Sequence, residues 1–125
     1  MVRLVNDARR DHGCGPVTAD PQLGAAAYSH AKDMVDHTYF SHTGLDGSSA
    51  QTRSEDAGFA GQGGWENIAA GQSDPAAVMD SWMKSPGHRA NILNCDLNRL
   101  GVGYHPGKVD PAYGGGSWVQ DFGTK

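Results

Sequence analysis

The most informative stretch of this chain is SPGHRANIL at residues 85–93, followed by WENIA at residues 65–69. The first stretch places His88 directly after a Pro-Gly pair, and the second contains Glu66, one of only two glutamates in the chain. A third stretch, YFSH at residues 39–42, adds a histidine beside two aromatic residues. Two imidazoles and a carboxylate are the groups that a metal site or a proton-transfer site needs. The sequence therefore poses the question of whether these three groups converge.

Helices are predicted from capping residues and from the spacing of apolar side chains. The clearest begins at Asp20, an N-cap that is followed by proline at the first helical position. Its apolar stripe recurs every three or four residues, as one buried helical face requires. The stripe consists of Leu23, Ala26, Ala27, His30, Ala31 and Met34. The other predicted helices are residues 2–12, residues 49–57 and a helix that opens at Asp74 and cannot pass Ser85, because Pro86-Gly87 follows.

Strands are predicted mainly near the end of the chain. Residues 100–104 and 118–122 show the alternation typical of half-buried strands, and a weaker strand is predicted at residues 17–18. The connection at 106–116 is rich in glycine and proline, and we expect it to be flexible. Helices precede strands without β-α-β alternation. This order favours a single α+β domain that spans residues 1–125 and contains a small antiparallel sheet.

Charge and hydropathy exclude some classes of partner. The net charge is −4, and the longest basic run is Arg9-Arg10, which Asp7 and Asp11 flank. We expect this pair on a solvated helix face, and we expect no nucleic-acid partner because no basic cluster would neutralise phosphates. No stretch approaches the length of a membrane span, and the first residues lack the apolar region of a signal peptide. With no apolar face left over, we expect a monomer.

The two cysteines, Cys14 and Cys95, bear on whether the protein is exported or cytosolic. They are too few and too far apart for a zinc ribbon, and no C-x-x-C motif is present. We expect a disulfide between them, which favours an exported protein; the alternative is two unpaired thiols in a cytosolic protein.

Two of the six histidines are candidates for function. Structural or exposed positions are expected for His12, His30, His37 and His105. His42 lies in a loop, where a rigid scaffold can present it in a cleft, and the backbone just before His88 is fixed by Pro86-Gly87. Glu66 is either a structural anchor that accepts backbone N–H groups at a turn or a member of the same site, since a buried carboxylate needs a partner.

The chain contains no H-E-x-x-H, G-x-S-x-G, Walker or Rossmann signature. It resembles instead the CAP superfamily, which groups cysteine-rich secretory proteins, antigen 5 and plant pathogenesis-related class 1 proteins, and it is most similar to the bacterial branch. The motifs that carry the resemblance are 40–42, 66–68, 82–88, 87–93, 101–103 and 120–122. They occur in family order over nearly the whole chain.

The resemblance implies a three-layer α-β-α sandwich with a central antiparallel sheet and a cleft. In the family, the cleft is lined by two histidines and two acidic residues. His42, Glu66 and His88 match three of these positions, and the fourth falls near Ser85, where no carboxylate is present. The implied chemistry is a divalent metal, Zn²⁺ first, bound by His42 and His88, with Glu66 as a third ligand or as an acceptor that orients an imidazole.

Three functions are compatible with these expectations. The leading one is an exported binding module that engages a lipid, a cell-envelope component or a protein partner. The second is a metal-dependent hydrolase in which Glu66 is the general base for metal-bound water. The third is a secreted scaffold whose cleft is only structural.

Overall fold

The computed structural model describes all residues from Met1 to Lys125. Its helices are α1 (Val2–His12), α2 (Pro21–Asp36), α3 (Ala50–Asp56), α4 (Pro75–Met83) and α5 (Pro86–Ile92). Its strands are β1 (Thr18–Ala19), β2 (Gln62–Ala70), β3 (Arg99–His105) and β4 (Ser117–Thr124). None of these helices combines the length and the apolar character that crossing a membrane requires.

The four strands form one sheet in the order β1-β3-β4-β2, between two layers of helices. Strands β3, β4 and β2 pair antiparallel, whereas β1 pairs parallel with β3 over two residues. The three-layer α-β-α sandwich is therefore confirmed, and the departure from the expected antiparallel sheet is the short parallel pair at its edge.

Successive residues of β4 enter two different cores, because side chains alternate across a sheet. Val119 packs with Ala31 and Met34 of α2 on one face. Trp118 and Phe122 pack on the other face in a larger cluster. That cluster draws its helical side chains from α1, α4 and α5, namely Val5, Val78, Met79, Trp82 and Ile92.

Two elements were not predicted from the sequence. Strand β2 was missed because its residues 66–69 are all buried, so no alternation of apolar and polar residues marks it. Helix α5 was missed because a Pro-Gly pair is typical of a break, whereas Pro86 occupies the first helical position of a new helix. The 106–116 connection is also anchored rather than loose, since Val109 is fully buried in the core beneath α2.

Helix α2 lies in backbone contact with β3, and this approach requires glycine on the strand. A Cβ added at Gly101 would overlap the backbone of Leu23, and one added at Gly103 would overlap the backbone of Ala27. These contacts are with main-chain atoms of a helix, so no side-chain rearrangement can relieve them. Gly24 on α2, by contrast, has open space around its Cβ position.

We therefore predict that Gly103→Ala destabilises the protein by about 2 kcal/mol or more, because overpacking against a fixed backbone typically costs about 1–3 kcal/mol. The matched control is Gly24→Ala on the facing helix, which should leave stability unchanged or raise it by up to about 1 kcal/mol through helix propensity. Urea unfolding monitored by circular dichroism measures both. Equal stability of the two variants would contradict the close approach.

Arg9 is buried, which corrects the expectation that Arg9 and Arg10 share a solvated helix face. The Arg9 side chain donates hydrogen bonds of 2.8–3.0 Å to four backbone carbonyls, those of Gly15, Ile92, Asn94 and Leu97. Arg10 remains exposed beside Asp7, as expected. The expected disulfide between Cys14 and Cys95 is confirmed and links the end of α1 to the same segment after α5. Arg9 and the disulfide thus hold α1 to the segment between α5 and β3.

Replacing Arg9 by methionine should destabilise the protein by about 3 kcal/mol or more, because it leaves four carbonyls without this donor, and those of Ile92 and Leu97 are buried. Arg10→Met is the matched control, and it should change stability by less than about 0.5 kcal/mol since Arg10 is exposed. Chemical denaturation of the oxidised protein tests the pair. A loss of similar size in both variants would show that Arg9 does not hold this segment.

Candidate binding cleft

Glu66 lies in the middle of β2, opposite Asp121 on β4. Its side chain is only 2% exposed, so the carboxylate requires compensation from within the protein. The turn position that the sequence allowed for Glu66 is wrong, because the residue is in a paired strand. Its place in the strand directs the carboxylate to the α2 side of the sheet, where Ile68, two residues along, also packs.

Arg53 on α3 supplies the positive charge that Glu66 needs. One guanidinium nitrogen, Nη2, donates to both Glu66 oxygens at 2.9 and 3.1 Å and to the backbone carbonyl of His42 at 2.9 Å. The other, Nη1, donates to the backbone carbonyl and hydroxyl of Ser48. Arg53 therefore ties α3, β2 and the segment between α2 and α3 together. Its role was missed by the sequence analysis, although a buried carboxylate in itself signals that a cation lies nearby.

His42 completes the cluster around Glu66. Its Nδ1 lies 3.0 Å from Glu66 Oε1, and because an ionised carboxylate only accepts, Nδ1 carries the proton and donates it. The imidazole side chain is 58% exposed. Glu66 thus fixes the orientation and tautomer of an accessible imidazole, whose Nε2 makes no hydrogen bond to the protein.

His88 lies in the first turn of α5, and its Nδ1 is 2.9 Å from the hydroxyl of Ser85, the residue before that helix. Burial and then the nearby His42 imidazole lower the pKa of His88. Ser85 lies near the position where the family pattern has a carboxylate. Its hydroxyl contacts Nδ1 of His88, so the other ring nitrogen, Nε2, is not involved in this contact.

Three amides connect α5 to the sheet beside Glu66. Asn67 donates to the backbone carbonyl of His88 and to Gln120, both at 3.1 Å. Asn91 donates to Asn67 at 2.9 Å and to the backbone carbonyl of Glu66 at 3.1 Å. These contacts explain why the two sequence stretches quoted first belong together: Glu66-Asn67 and His88-Arg89-Ala90-Asn91 are hydrogen-bonded to each other.

A cavity of about 320 Å³ opens beside this cluster. It is lined by His42, Thr43, Ser49, Ala50, Gly64, Trp65, Glu66 and Asn91. His88 and Ser85 lie outside this lining. Of the four residues expected to line one cleft, His42 and Glu66 line this cavity, whereas Ser85 and His88 do not.

The expected His-Glu-His ligand set is not formed. No group of three or more histidine, cysteine or acidic side chains is arranged to hold a metal ion. The reason lies in Glu66, whose two oxygens already accept hydrogen bonds from Arg53 and His42. Glu66 fits the second of its expected roles, an acceptor that orients an imidazole, and not the role of a third ligand.

Asp121 is a second acid in the cluster that sequence analysis did not single out. It is 1% exposed, and neither carboxyl oxygen has a hydrogen-bond partner of ordinary geometry. Burial and then the neighbouring Glu66 carboxylate raise the pKa of Asp121 well above its ordinary range. Burial alone would raise the pKa of Glu66 too, but the hydrogen bond from His42, the adjacent Asp121 carboxyl and the charge of Arg53 lower it to about 2. Of the two acids, Glu66 therefore loses its proton at the lower pH.

The two acids should give opposite pH dependences of stability. The pKa of Asp121 is higher in the folded than in the unfolded protein, so this group stabilises the parent less as the pH rises above about 4. The Asp121→Asn variant should therefore gain stability relative to the parent over that range. The pKa of Glu66 is lower in the folded protein, so Glu66→Gln should cost about 3 kcal/mol above about pH 5 and progressively less as the pH falls towards about 2. Thermal melts between about pH 2 and pH 8 measure both; differences from the parent that do not change with pH would contradict the assignment.

Known proteins resemble this chain over almost its entire length. The family model described as "CAP: Cysteine-rich secretory protein family" matches residues 2–122. The YkwD protein of Bacillus subtilis is 35% identical over 122 residues, which are 98% of this chain and 45% of that protein. An extracellular protein containing a SCP domain from Bacillus anthracis is 34% identical with a TM-score of 0.85, covering 99% of this chain and 39% of that one.

A more distant structure shows the same fold. An outer surface protein from Borrelia burgdorferi has a TM-score of 0.86 at 19% identity, covering 99% of this chain and 89% of that one. The present chain spans less than half the length of the two Bacillus proteins. Because the family model matches residues 2–122, the chain belongs to the cysteine-rich secretory protein family, the CAP superfamily that its motifs resemble.

Proposed function

We propose that this chain is an exported binding module whose cleft holds a divalent cation, preferably Zn²⁺, between His42 and His88. The observation that carries the proposal is that both imidazoles are held at Nδ1 by a side-chain oxygen, His42 by Glu66 at 3.0 Å and His88 by Ser85 at 2.9 Å. This is the arrangement in which Nε2 of each ring is oriented for a metal. An imidazole pair without a third protein ligand leaves the remaining positions of the ion to water or to an external ligand.

The external ligand of such a site would be an oxygen donor from a lipid headgroup, a cell-envelope component or a protein partner. A bound cation would supply a positive centre for that donor. The surrounding groups suit this role, because Thr43, Ser49 and Asn91 line the adjacent cavity with neutral polar side chains and Trp65 provides an apolar wall. Export is supported by the Cys14–Cys95 disulfide and by the extracellular protein from Bacillus anthracis among the relatives.

The hydrolase alternative is disfavoured in the form in which Glu66 is the general base. A carboxylate with a pKa of about 2 accepts a proton poorly near neutral pH, since an effective general base has a pKa close to the working pH. Glu66 is also buried beneath Arg53 and His42, which already occupy its oxygens. The arrangement therefore supports ligand binding better than proton abstraction by this residue.

Calorimetric titration of the metal-stripped protein with zinc tests the proposal. We expect one zinc ion per chain for the parent and at least about tenfold weaker binding for His42→Ala and for His88→Ala, because each removes one of two protein ligands. His37→Ala, an exposed histidine outside the cleft, is the matched control and should bind like the parent.

Absence of zinc binding by the parent would refute the metal site, and the cleft would then serve as the structural scaffold of the third expectation. Zinc binding that is equally weakened by His37→Ala would show that the ion binds surface histidines. Glu66→Gln is expected to weaken zinc binding as well as stability, because it removes the charged acceptor that orients His42.

A further inference from the structure

A second and larger cavity, of about 580 Å³, lies between α2, the segment that follows it and α3. No residue lines both this cavity and the cleft at His42 and Glu66. It is therefore a separate site, and its chemistry is different.

Carboxylates are the most numerous charged groups among the residues that line this cavity. Three carboxylates line it, those of Asp33, Asp46 and Asp56. The one guanidinium that lines it belongs to Arg53, and its charge is balanced by Glu66 at 2.9 Å. His37 contacts Asp33 at 2.9 Å and is itself exposed. The cavity thus carries more negative than positive charge, although Asp33 also accepts a hydrogen bond from Tyr39 and Asp46 accepts one from the backbone N–H of Ser48.

His30 provides an independent indication that a donor belongs in this cavity. Only 2% of the residue is exposed, yet it lines the cavity from the inner side of α2. Its Nε2 lies 2.7 Å from the backbone carbonyl of Ser41, and because a carbonyl only accepts, Nε2 carries the proton. Burial and then the charge of Arg53 lower the pKa of His30, so the ring is neutral. Its Nδ1 is therefore a bare acceptor that has no hydrogen-bond partner in the protein.

We propose that this cavity binds a small organic primary ammonium ion. Its three N–H donors match the acceptors contributed by His30 and the carboxylates, and a primary ammonium is compact enough for such a site. Ala25, Ala26, Leu45 and Ala57 form the apolar part of the lining, which suits a short carbon body attached to the ammonium group. This site goes beyond the proposed cation site, since it requires neither His42 nor His88.

Two sources share this chemistry, an aliphatic amine such as a lysine-like side chain and an amino sugar. Titrations monitored by two-dimensional NMR with 1,5-diaminopentane and with glucosamine distinguish them, with 1,5-pentanediol and glucose as neutral counterparts of the same size. We expect at least one amine to shift the signals of residues that line the cavity, the His30 ring included, and its neutral counterpart to bind at least about fivefold more weakly. Failure of both amines to shift these signals, or equal binding of the neutral counterparts, would overturn the proposal.

Matched variants on α3 separate specific binding from general attraction to an acidic protein. Asp56→Asn removes a cavity carboxylate at the C-terminal end of α3, where a negative charge is unfavourable, so the variant should remain folded. Glu55→Gln removes the same charge one residue earlier, outside the cavity lining. Amine affinity should fall about fivefold in Asp56→Asn and stay within about twofold in Glu55→Gln. An equal loss of amine affinity in the two variants would show that the amine is attracted to the acidic surface in general and is not bound in this cavity.

The same titration in His88→Ala keeps this proposal distinct from the zinc proposal. Amine binding should be unchanged there, because His88 does not line the larger cavity. Loss of amine binding in His88→Ala would contradict a separate site, whereas a parent that binds the amine but no zinc would refute only the cation site in the cleft.

Discussion

The backbone contact between α2 and the two glycines of β3 is the constraint on which the arrangement of the molecule depends. Gly101 and Gly103 allow the helix to lie against the strand with no side chain between them. Helix α2 is thereby fixed on one face of the sheet, with Ala27, Ala31 and Met34 filling the core beneath it. From this position on α2, His30 holds the following segment through the backbone carbonyl of Ser41 at 2.7 Å.

The same face of the sheet carries its buried charges, and they form one connected group. Glu66 and Asp121 are cross-strand neighbours, and Asp121 keeps its proton to a higher pH than Glu66 because it is buried and because two adjacent carboxylates repel each other. Arg53 compensates the charge that remains. Glu66, Arg53 and His42 depend on one another, since removal of Glu66 leaves the other two without this partner in a region of low dielectric constant. The exposed imidazole of His42 is therefore supported by residues from α3, β2 and β4.

Much of this fold could be predicted from the sequence, and the exceptions share a physical reason. The amphipathic stripe of α2 reports burial of one helical face, which periodicity reveals. Alternation also located β3 and β4, although β4 is buried on both faces, and the cysteine pair was recognised from composition. Strand β2 is buried on both faces, and Arg9 is a buried charge whose partners are backbone carbonyls, so neither leaves a periodic signal. The motif resemblance located His42, Glu66 and His88, whereas Arg53 and Asp121 could be found only when the strand pairing showed what faces Glu66.

Arg53 lies between the two cavities. It lines the larger one, and it donates hydrogen bonds to Glu66 and to the backbone carbonyl of His42 beside the smaller one. A guanidinium shared in this way is a thermodynamic link. If a ligand on one side shifts Arg53, the affinity of the other side changes by some factor, and reciprocity requires the same factor in the opposite direction. A single side chain can therefore couple the ligand affinities of the two cavities without any movement of the sheet.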